Sequence, residues 1–185
     1  MGIVARNLIL ASASPRRREI LQNAGILFSV RVANVEERRG ETETPREYVT
    51  RLAREKANAV RHSFDEWVLG ADTVVVIDES VLEKPGSLEE AANMLRRLAG
   101  RTHEVITGFC LLTPEAARVG YETTRVEFQA LTENEIQDYV ASGEPFDKAG
   151  GYAIQGLASK FITRIEGCYF NVVGLPVSRV YQLLR

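Results

Sequence analysis

The chain has 185 residues, and its 23 Lys and Arg residues against 25 Asp and Glu residues give a formal net charge of -2 at pH 7. The hydrophobic fraction of 45% and charged fraction of 26% are those of an ordinary globular protein, and the length suits one domain over residues 1–185. This charge balance excludes a protein that holds nucleic acid through a generally basic surface, so we expect no nucleic-acid partner.

The lack of a recognisable targeting signal and the small number of cysteines predict a cytoplasmic protein with no membrane partner. No apolar run approaches the ~18 residues of a membrane span, and the run after Asn7 is too short for the core of a signal peptide. Cys110 and Cys168 are far apart, so we expect two reduced thiols rather than a disulfide. His62 and His103 are too few for a histidine-rich zinc site, and we expect them on the surface or at the edge of the core.

Strand and helix signals alternate along the chain. In the first half of the chain, the predicted elements are a strand at 8–10, a helix at 15–24, a strand at 28–35, a helix from the capping box at 44–47 to about 61, and a strand at 67–77 that is interrupted at 70–72. In the second half they are a helix from the capping box at 87–90 to 100, strands at 103–112 and 122–130, and a helix from 132 to about 143. Short strands and turns are predicted after 149, and a last helix after 176. Strands that follow one another without a helix break a purely parallel winding. The order therefore predicts an α/β fold with a mixed sheet.

The stretch "ASASPRRR" at 11–18 places three arginines in the first turn of a helix, where the helix dipole disfavours positive charge. An anion bound there would explain them, because small residues and free backbone N–H groups at a helix start form a phosphate site. Arg16 and Arg17 could then hold phosphate oxygens in bidentate geometry. The alternative is a helix capped by Ser14 with a solvated arginine face. No GxxxxGK[ST] sequence is present, which removes the main support for a kinase or motor ATPase.

The stretch "LGADTVVVIDESVLEKP" at 69–85 contains a lone acid within an apolar strand. Burying Asp72 is costly unless it is paired, hydrogen-bonded or bound to a metal, which favours a functional role. The alternative is a turn or bulge in which Asp72 caps neighbouring backbone groups. Lys84, at the end of the following turn, could reach a phosphate, although surface lysines are common.

Two further stretches are compatible with a phosphate and metal site. The adjacent acids Glu36 and Glu37 in "NVEERRG" could bind Mg²⁺ through one or two oxygens, or could be solvated acids in a charged loop. Lys56 lies one residue from the apolar stripe of its predicted helix. It could face inward toward an anion, or its ammonium group could reach the solvent along an apolar surface.

The stretch "DKAGGYAIQG" at 147–156 surrounds an amide with glycines. The Gln155 amide has both a donor and an acceptor and could read the edge of a nucleobase, while the glycines would allow close approach of a ligand. The alternative is a tight hairpin with no ligand.

Together these motifs resemble, in composition and order, the Maf family of nucleoside triphosphate pyrophosphatases. The resemblance covers essentially the whole chain and is carried by "LASASPRRREIL", "VEERR", "LAREKA", "LGADTVVVID", "LEKP", "TGFCLL", "EPFDKAGGYAIQG" and "YFNVVGLP". It implies an α/β fold with an elongated mixed sheet flanked by helices and two lobes around a central cleft, similar to the inosine triphosphate pyrophosphatases. It also implies a homodimer.

The resemblance further implies hydrolysis of a nucleoside triphosphate between its α- and β-phosphates, with a divalent cation, Mg²⁺ or Mn²⁺. "ADT" together with "IQG" resembles the branch that acts on dTTP and UTP, and the sequence leaves open whether modified pyrimidine nucleotides are also substrates. The implied roles are Asp72 as proton acceptor with Lys56 and Lys84 as the other catalytic residues, Ser12, Arg16, Arg17, Thr73 and Gln155 as substrate-binding residues, and Glu37 and Asp72 as metal ligands.

Two alternatives remain open from the sequence. One is a nucleotide-binding regulator of cell division or septum formation that has no catalytic activity and therefore needs no water-activating carboxylate. The other is a house-cleaning pyrophosphatase that prefers a purine substrate such as ITP or 7-methyl-GTP.

Overall fold

A computed structural model of the protein describes residues 8–185. Met1–Asn7, the residues before the short apolar run that is too short for a signal-peptide core, lie outside the described residues. The strands are β1 (Leu8–Leu10), β2 (Ser29–Val30), β3 (Trp67–Ile77), β4 (Ser80–Leu82), β5 (Thr102–Leu112), β6 (Ala117–Phe128) and β7 (Ile162–Glu166). The helices are α1 (Pro15–Asn23), α2 (Pro45–Val60), α3 (Leu88–Leu98), α4 (Glu133–Ala141), α5 (Tyr169–Val173) and α6 (Val177–Leu184). Two 3₁₀ helices cover Ala149–Gly151 and Leu157–Phe161.

The strands form one seven-stranded sheet in the order β2-β1-β3-β5-β6-β7, with β4 paired to β3. Strand β1 is parallel to both of its neighbours, β2 and β3. Strand β4 is antiparallel to β3, and β7 is antiparallel to β6. The predicted α/β class with a mixed sheet is therefore confirmed.

The chain divides into two compact units. Unit 1 consists of the chain up to Thr73, residues 107–122 and residues 174–185, and unit 2 of residues 74–106 and 123–173. Strands β3, β5 and β6 contribute residues to both units. The division into two units does not test the expectation of one domain over residues 1–185 or that of a central cleft, and both stay predictions.

Each unit has its own buried apolar residues. In unit 1, helix α2 packs Ala53, Ala57 and Val60 against Ile9 of β1 and Val68 of β3. In unit 2, helices α3 and α4 pack against strand residues and the 3₁₀ segments. The core there includes Leu95, Leu98, Phe128, Ile136 and Phe161.

Local signals predicted most helix starts correctly. Thr44 and Thr132 each form a capping box with the glutamate three residues later, and the Ser87 hydroxyl accepts the backbone N–H of Glu90. At the Ser87 start, however, the Glu90 side chain accepts from the Gly86 N–H instead of from the cap residue itself.

Four strand predictions need correction. The strand predicted at 122–130 is β6, which begins five residues earlier and covers Ala117–Phe128. Strand β2 has two residues rather than the predicted 28–35, and Val32, just beyond it, is 63% exposed, so the β-branched residues there lack a core to pack against. Strand β3 runs without interruption, which excludes the turn or bulge at Asp72. After residue 149 the chain forms two 3₁₀ helices, one strand and helix α5 rather than several short strands.

The cysteines are free thiols as predicted, but the two histidines differ. His62 is exposed, whereas His103 is only 2% exposed, so the expectation of an edge position is wrong for His103. Its Nε2 lies 2.7 Å from the hydroxyl of Tyr152, and its ring meets those of Phe128 and Tyr152 edge to face. Burial lowers the pKa of His103 to about 4, so its imidazole is neutral near pH 7. Within residues 8–185, no helix is long and apolar enough to cross a membrane.

Candidate active site

Helix α2 lies unusually close to the sheet in unit 1 because two strand residues have no side chain. An ideal Cβ on Gly70 of β3 would lie 2.0 Å from the carbonyl oxygen of Ala53, and one on Gly108 of β5 would lie 2.4 Å from that of Val49. Only glycine permits such an approach at these two positions. Gly70 thus seats a helix on the strand rather than interrupting it.

This close seating brings Lys56 of α2 to Asp72 of β3. The Nζ atom of Lys56 lies 2.6 Å from Oδ1 of Asp72 and 2.6 Å from Oε1 of Glu37. Lys56 and Asp72 are each 8% exposed, whereas the Glu37 side chain is 41% exposed. Lys56 therefore does not extend into the solvent, and the structure contains a buried ammonium group between two carboxylates.

The loop that carries Glu37 is attached to α2 by Arg51. The Arg51 guanidinium donates to both carboxylate oxygens of Glu43, at 2.6 and 2.8 Å, and to the carbonyl oxygen of Arg38 at 2.9 Å. The ion pair with Arg51 lowers the pKa of Glu43. Sequence reasoning missed Arg51, because an arginine on a helix with many charges carries no local signal of this contact.

The three arginines of α1 occupy different environments. Arg17 is 9% exposed and donates from Nε to the carbonyl oxygen of Gly174 at 2.8 Å, from Nη1 to Oγ of Ser12 at 3.2 Å, and from Nη2 to Oγ1 of Thr73 at 3.0 Å. Burial lowers the pKa of the Arg17 guanidinium, and the nearby carboxylate of Asp72 opposes that shift. Arg16 is half-buried and Arg18 is exposed, so a fully solvated arginine face is excluded.

Thr73 connects Arg17 to the middle of the sheet. Its Oγ1 lies 2.9 Å from Oγ1 of Thr107 on β5 and 3.4 Å from the carbonyl oxygen of Gly174. Side chains of consecutive strand residues leave on opposite faces, and Asp72 and Thr73 accordingly contact different helices, α2 and α1. Sequence reasoning missed Thr107 and Gly174, whose contacts join segments far apart in the chain.

Unit 1 contains seven of the predicted site residues, which are Ser12, Arg16, Arg17, Glu37, Lys56, Asp72 and Thr73. Hydrogen bonds join Arg17 to Ser12 and Thr73, and ion pairs join Lys56 to Glu37 and Asp72. Lys84 and Gln155 belong to unit 2, and both are exposed there. Lys84 follows β4 and precedes the buried Pro85, and Gln155 lies in a turn closed by a hydrogen bond from the N–H of Gly156 to the carbonyl oxygen of Ala153.

A family model described as "Maf-like protein" matches residues 7–185. The chain belongs to the Maf family. The predicted resemblance is therefore confirmed over nearly the whole chain.

Several curated Maf relatives cover almost the same length. A protein of Koribacter versatilis is 53% identical over 96% of this chain and 93% of its own, one of Geobacillus sp. (strain WCH70) is 51% identical over 97% of each chain, and one of Bacillus cereus is 48% identical over 97% of this chain and 95% of its own. All three are named dTTP/UTP pyrophosphatase.

Solved structures give weaker similarities. A nucleoside-triphosphatase / dITP/XTP pyrophosphatase from Mycobacterium abscessus matches with a TM-score of 0.43 and 16% identity, covering 68% of this Maf chain and 75% of its own. The Ham1 protein of Staphylococcus aureus matches with a TM-score of 0.40 and 15% identity, covering 66% and 72%.

The site of this Maf protein offers two carboxylates that could hold a divalent cation, those of Glu37 and Asp72, and both are paired with the ammonium of Lys56. Among residues 8–185, no group of three or more His, Cys, Asp or Glu side chains is placed to hold a metal ion. Mg²⁺ is commonly held by one or two carboxylates, with water and substrate phosphates as its other ligands. Glu37 and Asp72 are a carboxylate pair of that kind, and each has one oxygen 2.6 Å from Nζ of Lys56.

Proposed function

We propose that this Maf protein hydrolyses dTTP and UTP to the nucleoside monophosphate and pyrophosphate. The observation that carries the proposal is the buried pair of Lys56 and Asp72, 2.6 Å apart, in which the carboxylate also interacts electrostatically with Arg17. The Maf family implies a nucleoside triphosphate substrate. The pyrimidine specificity is supported by the names of relatives about 50% identical over nearly the full chain.

Asp72 is the proposed general base for the attacking water. A general base needs hydrogen-bond reach to the water and a fixed orientation. Lys56 supplies the orientation, because its ammonium holds Oδ1 of Asp72 and leaves Oδ2 to accept a proton from water. Asp72 lies in the middle of the uninterrupted strand β3, so hydrogen-bonded backbone on both sides holds the residue that carries this carboxylate.

The cationic side chains are proposed to bind the triphosphate and to stabilise the pyrophosphate leaving group. Arg17 already uses Nε, Nη1 and Nη2 in hydrogen bonds to the protein, so it contributes its positive charge and fixes Ser12 and Thr73. Arg16, on the same helix turn and half-buried, is proposed to bind the phosphate oxygens directly. Lys56 and the exposed Lys84 complete the set proposed to bind phosphate.

Substrate choice is assigned to Arg17, Thr73 and Gln155. The Gln155 amide is exposed and can pair with the donor and acceptor edge of a pyrimidine. Thr73 and Arg17 hold each other through the hydrogen bond between Nη2 and Oγ1.

A divalent cation, Mg²⁺ or Mn²⁺, is proposed as the cofactor, with Glu37 and Asp72 as its protein ligands. When bound, such an ion neutralises phosphate charge and orients the displacement. The homodimer implied by the resemblance and the cytoplasmic location predicted from the cysteines and the lack of a targeting signal remain part of this proposal.

Product analysis on a panel of triphosphates tests the function. We expect dTTP and UTP to give dTMP and UMP with one pyrophosphate each, at higher kcat/KM than CTP, ITP, GTP or 7-methyl-GTP. Release of orthophosphate would place the cleavage at another bond. Preference for ITP or 7-methyl-GTP would support the purine alternative, and tight binding without turnover would support the regulatory one.

A further inference from the structure

The turn that contains Gln155 is anchored on both sides within unit 2. On its N-terminal side, the hydroxyl of Tyr152 lies 2.7 Å from Nε2 of the buried His103. On its C-terminal side, a 3₁₀ helix starts at Leu157 after Gly156, which has no side chain to cap it. Gln155 itself is exposed, and the backbone of Ala153 in the same turn also interacts with the hydroxyl of Tyr139.

The second anchor is the carboxylate of Glu144. Its Oε2 accepts the backbone N–H of Leu157 at 2.8 Å, and its Oε1 accepts the N–H of Ala158 at 3.4 Å. A third hydrogen bond comes from the hydroxyl of Tyr139 to Oε1 at 2.9 Å. Glu144 therefore caps the 3₁₀ helix from a position 13 residues earlier in the chain.

The carboxylate lies directly against the residue that follows Gln155. An ideal Cβ on Gly156 would be 2.3 Å from Oε1 and 2.4 Å from Oε2 of Glu144. Glycine at 156 is thus what allows Glu144 to reach the backbone. Tyr139, which fixes the carboxylate, is itself buried and packs edge to face on Phe161 of the same 3₁₀ helix.

We propose that Glu144 is a positioning residue for substrate choice, which holds the Gln155 turn in the conformation that reads the base. The inference rests on the proposed function, because it needs Gln155 to contact the nucleobase. Glu144 acts through the backbone of residues 156–158 and does not touch the substrate. Its loss therefore affects discrimination between bases more than turnover at saturating substrate.

The main test compares kcat/KM for dTTP and CTP in folded Glu144→Ala and wild-type protein. We expect the ratio of dTTP to CTP to fall about tenfold, since a misplaced polar group loses its discriminating hydrogen bonds. We expect kcat at saturating dTTP to stay within about threefold of wild type. Glu133→Ala is the matched control, because Glu133 is an exposed glutamate of α4 paired with Arg96, and its ratio should not change.

Gly156→Ala provides a second, independent variant. The new methyl group displaces the Glu144 carboxylate without removing it, so the single variant should lose selectivity as Glu144→Ala does. In the Glu144→Ala background the same change should add no further loss. If Glu144→Ala fails to fold, Gly156→Ala measured alone decides the question.

The outcomes separate the inference from the proposed function. Wild-type protein that releases no pyrophosphate from any triphosphate overturns the function and the inference together. Active wild type with an unchanged ratio in the Glu144 and Gly156 variants overturns the inference alone. A loss of selectivity of the same size when Gln155 is already alanine also overturns it, because Glu144 would then act by another route.

Discussion

The two units bury different kinds of polar side chain. Within residues 8–185, the buried charged side chains are Arg17, Lys56 and Asp72, and all three belong to unit 1. Unit 2 buries neutral groups instead, such as His103 and Thr124. Buried ion pairs recover their desolvation cost poorly, so such a pair indicates a functional requirement more than a source of stability. Under the proposed function, the buried charges that act on the substrate belong to unit 1, whereas Lys84 and Gln155 are exposed on unit 2.

The largest expected effect comes from neutralising the acid of the buried pair. Asp72→Asn should lower kcat for dTTP by roughly 10²- to 10⁴-fold, the usual contribution of a general base. Pyrophosphate release with Mn²⁺ measures it. Asp78→Asn, which removes an exposed partner of Arg101 in unit 2, is the matched control and should leave kcat unchanged. Turnover of Asp72→Asn within about threefold of wild type would contradict the assignment.

Removing the cation should affect stability. Lys56→Met leaves Asp72 buried without its partner, and such a change lowers the free energy of unfolding by about 3–5 kcal/mol. Urea unfolding measures it, with the exposed Lys160→Met of unit 2 as the control. Added Mg²⁺ should restore part of the loss in Lys56→Met, because Glu37 and Asp72 are the proposed ligands of the ion and its charge would compensate the unpaired carboxylate of Asp72. A loss below about 1 kcal/mol would mean that the pair is open to water.

The smallest effect concerns the neutral group that unit 2 buries. Because the pKa of His103 is lowered to about 4, the unfolded chain takes up a proton below about pH 6.5 that the folded chain does not. Stability should therefore fall by up to about 3 kcal/mol as the pH falls from about 6.5 to 4. His103→Gln should flatten that decline, whereas His62→Gln, at an exposed position, should not. Equal profiles for both variants would show that His103 titrates normally.

The sequence predicted those features whose physical cause is local. The capping boxes at Thr44 and Thr132 involve residues three apart, and Asp72 was recognisable because an acid in an apolar strand is costly wherever the strand lies. The contacts of Arg51, Thr107, Gly174 and Glu144 were not predictable, since each joins residues that only the fold brings together. Strand β2 was predicted too long because β-branched residues favour a strand without indicating whether a core is there to cover them.

The bare backbone at Gly70 and Gly108 has a consequence for how this protein can evolve. A methyl group at either position would push α2 off the strands and withdraw the ammonium of Lys56 from its carboxylates, although neither glycine touches a charge. The position of the Lys56 ammonium therefore depends on the absence of a side chain at Gly70 and Gly108. A substitution of either glycine by alanine, although small and not in contact with a charged group, would affect the site as much as a substitution of its charged residues.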